Sequence, residues 1–250
     1  MDVTTHSIAE RPDLTSAMWR MPHTWQPFMQ HDPVSDVAYD WMVAEVPEYV
    51  RVAVDGEGRV VARAFSVPFA LRAEGRGGGA LPAKGWDQVL VWAMRDRRDG
   101  RTPDTVSAIE ISVARDLLGH GLSSVMLDAM RDAARGAGFA EVVAPVRPNG
   151  KHLEPHAPMA EYAFRTRPGD GLPHDPWLRA HVRAGGVVDS VAPASMTITD
   201  SVERWREWTG LPFDADGPVE VPGALAPVRC EASQGYAVYV EPNVWVRHRL

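Results

Sequence analysis

Residues 113–127 read Val-Ala-Arg-Asp-Leu-Leu-Gly-His-Gly-Leu-Ser-Ser-Val-Met-Leu. The β-branched run Thr105–Val113 feeds this stretch as a buried strand. Gly119 and Gly121 then mark a turn. Leu122–Arg135 follows as a helix, its apolar stripe passing through Leu122, Val125, Met126, Ala129, Met130 and Ala133. Gly136 and Gly138 end it, and Glu141–Val146 is the next strand. A strand–turn–helix–strand unit predicts a parallel strand pair. A helix opening directly after a glycine turn also offers free N–H groups and a positive dipole end, which suit a phosphate or diphosphate.

Upstream, Val3–Ile8 reads as a short strand. Helical material follows from Asp13 to Trp19 and over Asp32–Val46. Tyr49–Val54 and Arg59–Phe65 flank Asp55-Gly56-Glu57-Gly58 as a β-hairpin, whose second strand continues towards Phe69 or Leu71. Pro68 implies an edge position or a bulge there. Residues 72–104 read as an insertion, with a flexible loop over Arg72–Lys84 and a helix over Trp86–Arg97.

Downstream, residues 150–175 form a second insertion rich in His and Pro. Asp175 caps a helix over Trp177–Ala184 with Pro176 at its first position. Val187–Val191 and Ser195–Ile198 read as two strands. Asp200–Trp208 is a helix capped by Thr199 or Asp200, and strands at Ala226–Cys230 and Tyr236–Val246 close the chain.

Composition narrows the class of function. The chain has 250 residues, 45% of them apolar, enough for a large core. Its net charge of −7 argues against nucleic acid or an anionic membrane, either of which needs clustered positive charge. Cys230 is the only cysteine, so no intrachain disulfide can form. The sequence shows no signal-peptide pattern and no membrane-length apolar run, so a cytoplasmic location is expected.

Two nucleotide-binding readings of the central turn fail. A P-loop needs Gly-Lys-Ser/Thr at the end of the turn, and no lysine stands there. A dinucleotide fingerprint needs glycine where Ser124 stands, and a carboxylate where Arg147-Pro148 follows the next strand.

The segment instead resembles the acyl-CoA-binding motif of the GNAT acetyltransferase superfamily, V-x-P-x-x-(Q/R)-x-x-G-x-(G/A) before an apolar helix. Val113 matches the strand end, Gly119 and Gly121 fall within the loop, and Ser123 takes the small last position. Leu118 departs from Gln or Arg, and Arg115 stands in place of Pro. The order of elements over residues 1–198 matches the family as well. The resemblance implies an α/β fold with a central mixed, mostly antiparallel sheet flanked by helices and splayed near its middle. It implies one domain over 1–250, with loop insertions and a C-terminal extension at 199–250.

The resemblance further implies transfer of an acetyl or other acyl group from acyl-CoA to a small-molecule amine, by direct attack in a ternary complex. A non-catalytic acyl-CoA-binding protein on the same scaffold is the rival reading. Expected partners are the amine and a second copy of the chain as a homodimer, with no nucleic acid and no membrane. Val113, Leu118, Gly119, His120, Gly121, Leu122 and Ser123 would hold the coenzyme, acetyl-CoA being the commonest donor.

Glu110 lies three residues before Val113, where such enzymes often carry a base; a salt-bridged glutamate is the bland alternative. His181 falls where the last helix of the family carries a tyrosine, and could protonate the departing thiolate or be merely structural. Tyr162 is a rival acid. Arg95, Arg97, Arg98, Arg165 and Arg167 could reach the 3′-phosphate, and the two insertions would roof the amine site. His152, His156, His174 and His181 carry no convincing metal pattern, because Pro155 and Pro158 break any helix there, and no metal is expected. Trp205, Trp208 and Trp245 read as core.

Overall fold

In the computed structural model, which describes residues 2–250, β1 (Val3–Ser7) leads into α1 (Thr15–Arg20), α2 (Pro33–Glu45) and the hairpin of β2 (Val50–Asp55) and β3 (Val60–Phe69). Next come α3 (Gly85–Asp99), β4 (Thr105–Val113), α4 (Leu122–Gly136) and β5 (Glu141–Val146). A short α5 (Met159–Tyr162) and α6 (Pro176–Arg183) precede β6 (Val187–Ser201) and α7 (Val202–Thr209). The chain closes with β7 (Gly217–Val219), β8 (Val228–Glu231) and β9 (Tyr236–Arg249).

The helix starts follow their caps. Asp32 accepts the Ser35 N–H at 2.7 Å ahead of Pro33, and Asp175 accepts the Trp177 and Leu178 N–H groups at 2.9 and 3.1 Å ahead of Pro176. α4 turns Leu122, Met126, Met130 and Ala134 into the core against β3 and β4. The cap of α7 is Ser201, not Thr199 or Asp200, because pairing with β9 runs through Ser201 opposite Tyr236 and the helix starts only at Val202.

Among the described residues all nine strands share one sheet, in which only β4 and β5 run parallel. That pair meets at two registers, Val106 with Val142 and Ser107 with Val143. Beyond them the strands part, leaving residues 108–113 and 144–146 without each other as partners. This is the splay. A register shift against β3 between the Phe65–Glu110 and Ser66–Ala108 pairs puts an extra residue, Ile109, at the same place. Pro68 is tolerated because β2 begins at Val50 opposite Phe65, so β3 has no β2 neighbour beyond that point.

The C-terminal segment is more central than its reading as an extension suggests. β9 lies between β5 and β6, pairing Glu141–Val146 on one side and Val187–Ser201 on the other. The expected strands at 187–191 and 195–198 are one long β6, interrupted by a bulge around Pro193, where Ala192–Asn243 steps to Met196–Glu241. Trp205 and Trp245 are fully buried, and Trp208 packs edge-on against Trp205.

Residues 72–84 are also less free than expected. Buried Arg76 makes a two-pronged ion pair with buried Asp96 of α3 at 2.5 and 2.6 Å, and its guanidinium lies 4.6 Å from the Trp92 ring. The insertion is thereby tied to its own helix.

Candidate active site

The splay opens a cavity of about 530 Å³. Its floor is Ala108–Val113 of β4 and Ala144–Val146 of β5, the two stretches that lack each other. Trp177 and His181 of α6 line one side, with Glu241 and Asn243 of β9. The roof comes chiefly from the N-terminal arm, including Trp19, Trp25, Asp36 and Tyr39. From the 72–104 insertion only Trp86 reaches the cavity, and nothing from 150–175 does, so the expected roof by those insertions is replaced by residues 19–39.

At one end lies the glycine turn. Gly119 and Gly121 have φ of +84° and +80°, the left-handed region in which a side chain is strained. Among the described residues, apart from the glycines and their immediate chain neighbours, nothing lies within 4 Å of where a Cβ would stand on either. Gly121 is the N-cap of α4, and no side chain caps that end. Gly119, His120 and Gly121 are exposed, whereas the Leu122 side chain is buried beneath them. Leu118 and Ser123 line the cavity together with Val113. The expected coenzyme residues therefore form one surface: free amides and a positive dipole end facing open space beside the splay.

Glu110 points into the same cavity but is not a free carboxylate. It is buried and accepts hydrogen bonds from Arg63 Nε at 2.9 Å, from Ser112 Oγ at 2.6 Å and from Tyr39 Oη. Trp25 Nε1 donates to Ser112 Oγ at 3.0 Å, extending the network to the roof. The salt-bridged reading of Glu110 holds, and the residue also lines the cavity. Tyr39 is held protonated, since burial and the adjacent Glu110 push its phenol well above the usual range.

His181 is buried, and its Nδ1 lies 2.9 Å from His248 Nε2. Burial, with His248 alongside, lowers the His181 pKa to about 3, and burial beside Arg131 lowers that of His248 to about 4. Burial thus disfavours the imidazolium form, and a neutral His181 ring has one N–H donor and one acceptor nitrogen. Tyr162 is not in the cavity. Its Oη donates to Asp175 Oδ2 at 3.0 Å in the cap of α6, and burial pushes its pKa upward, so it serves that helix start.

The arginines proposed for the 3′-phosphate are largely paired at the surface: Arg97 with Glu45, Arg98 with Asp99, Arg165 with Glu154 and Arg167 with Asp170. Among the described residues no group of three or more His, Cys, Asp or Glu is placed to hold a metal. His156 meets Glu220 and His174 packs on Tyr162 instead. Cys230 is buried and its thiol is raised by burial, the opposite of an activated nucleophile.

Sequence reading missed Tyr39, Arg63, Ser112, Glu241 and His248. Arg63 is the one charged residue in a buried strand that is apolar apart from Ser66, a buried charge that must find a partner, and that was the one available signal. The others depend on which strands become neighbours.

A splayed β4–β5 pair with an uncapped glycine turn at its mouth defines an acyl-CoA-dependent acyltransferase of GNAT fold. The sequence is 32% identical to a curated arginine N-acetyltransferase, avaD of Aspergillus versicolor, over 98% of this chain and 93% of that one. The chain belongs to the GNAT N-acetyltransferases. Two solved structures share its fold over its full length: the loading GNATL domain of CurA from Lyngbya majuscula (17% identity, TM-score 0.61, 98% of that chain) and the GphF GNAT-like decarboxylase in complex with isobutyryl-CoA (14%, 0.54, 99%). No protein-family model matches the sequence. No helix among the described residues is long and apolar enough to cross a membrane.

Proposed function

We propose that the chain, acting as one unit over residues 1–250, transfers an acetyl group from acetyl-CoA to the amine of arginine or a closely similar small cation. The observation that carries this reading is the convergence of the free α4 amides and of Glu110 on one cavity. The diphosphate of the coenzyme would lie on the amides of residues 118–123, and its pantetheine arm would take the place of the missing β4–β5 pairing, with the thioester near Val113.

The amine attacks the thioester carbon directly. Its nitrogen–carbon bond forms, the carbon–sulfur bond breaks, and coenzyme A leaves as thiolate. The amine proton passes to Glu110, directly or through water. A neutral His181 N–H donates a hydrogen bond to the departing sulfur, which then takes its proton from solvent.

Asp36 stands exposed at the cavity's edge with no ion-pair partner among the described residues, a contact for a cation, whereas Glu110 and Glu241 are each paired with a lining arginine, Arg63 and Arg147. An adjoining cavity of about 380 Å³ is lined by Arg147, Asn149 and His152, donors suited to the carboxylate of an amino acid. The avaD relationship points to the same substrate. We place the activity in the cytoplasm, since a chain with one buried cysteine gains nothing from an oxidising compartment.

Thiol release from acetyl-CoA is the test, with arginine, agmatine and ornithine as acceptors. Arginine-dependent release with agmatine a poorer acceptor is the expected result. Saturable acetyl-CoA binding with no release for any amine would favour the non-catalytic rival.

A further inference from the structure

The two buried rings of His181 and His248 share a single hydrogen-bond position, Nδ1 of His181 against Nε2 of His248 at 2.9 Å. With both rings neutral, one nitrogen donates and the other accepts, and the surroundings decide which. The second nitrogen of His248, Nδ1, is buried without any partner. If His181 were the donor, His248 would carry its proton on that Nδ1, a buried N–H with no acceptor. If His248 donates from Nε2, its Nδ1 is only a lone pair. Arg131 disfavours added positive charge on His248, which keeps that ring neutral. The sole proton of His181 then lies on Nε2, the nitrogen left for the cavity that this residue lines.

The fold keeps His248 in place. On β9 it is opposite Val142 of β5. A Cβ on Gly186 would come within 2.7 Å of His248 Cε1 and 2.8 Å of His181 O, so only glycine fits where α6 turns into β6 against this ring. Gly186 N–H also closes the end of α6 by donating to His181 O at 2.8 Å. Trp177 packs edge-on against His181 with ring centroids 4.7 Å apart.

We propose that His248 is a positioning residue for acyl transfer: it holds His181 as the Nε2–H tautomer and so presents one neutral N–H donor to the departing sulfur. This rests on the reading that His181 faces the thioester, and the experiment separates the two. Long-range ¹H–¹⁵N correlation spectra of the histidine-labelled protein should show His181 and His248 both protonated on Nε2 and not on Nδ1. His248→Leu should lower kcat about tenfold or more while leaving KM for acetyl-CoA within about twofold, and should let His181 populate both tautomers. His248→Gln, which keeps an N–H donor, should restore most of the rate.

A His181 proton found on Nδ1 in the wild-type protein, or full turnover in His248→Leu, would overturn the inference while leaving the acyltransferase reading intact. Full turnover in His181→Phe would instead remove the role of His181 on which the inference stands.

Discussion

Glu110 is held by three donors, Tyr39, Arg63 and Ser112, on a strand stretch whose outer neighbour has peeled away. Arg63 pairs with the carboxylate at 2.9 Å, and Tyr39 donates to its other oxygen from the roof. Glu110→Gln should therefore cut kcat by about a hundredfold, in the range typical of general-base catalysis, and leave the Kd for acetyl-CoA nearly unchanged by calorimetry. An unaltered kcat would end its candidacy as the base. Asp87 raises a different matter. Burial, reinforced by the Asp32 charge, lifts its pKa to about 8, although the Thr197 N–H at 3.1 Å pulls the other way. Between an ordinary carboxyl value near 4 and about 8, the folded state holds a proton that the unfolded state has released, so stability is full below that window and declines as pH rises through it. Asp87→Asn removes this proton linkage. Melting temperatures taken from pH 5 to pH 9 should fall less steeply for the variant than for the wild type, and parallel slopes would contradict the assignment.

The turn between β4 and α4 works as an element because its amides are unspent. Both glycines sit at positive φ with open space where a side chain would stand, so they serve backbone conformation and leave room for a large anion. Leu118 replaces the polar residue of the family pattern without touching those amides, which is why the motif survives the change. Gly121→Val places a β-branched residue at φ +80°, at a cost of about 1–3 kcal/mol, and would disturb the helix start on which the proposed diphosphate rests. Acetyl-CoA affinity should drop by about tenfold or more in calorimetry, from loss of charge-assisted hydrogen bonds, while the far-ultraviolet circular dichroism stays that of the native fold. Retained affinity would mean that the diphosphate lies elsewhere. The Arg76–Asp96 pair shows the opposite economy, in which an apparently loose glycine-rich segment is fastened by one buried ion pair.

At the scale of the molecule, the sheet is completed by its last strand. β9 joins β5 to β6 and carries both Glu241 and His248, so the segment that reads as an appendage supplies the sheet's interior and part of the cavity wall. A chain ending at residue 235 should lack a cooperative thermal transition, because β5 and β6 would each present an open edge and the apolar face beneath Trp245 would be exposed. Cooperative melting of that fragment near the full-length temperature would show that β9 is dispensable.

Local chemistry determined much of this protein before any contact was known. The glycine turn, the stripe of α4, the Asp32 and Asp175 caps and the Asp55–Gly58 hairpin are legible because each is set by residues within a few positions of one another. Those signals sufficed for the GNAT resemblance and for the uncapped start of α4. Only the tertiary structure decided that β4 and β5 part after two pairs, that Glu110 meets Arg63 forty-seven positions away, and that His181 meets His248 across sixty-seven. It also withdrew Tyr162 from the cavity and put the N-terminal arm over it. The reason is physical: a buried polar group must find its partner wherever the packed sheet brings one, and sequence spacing carries no record of that choice.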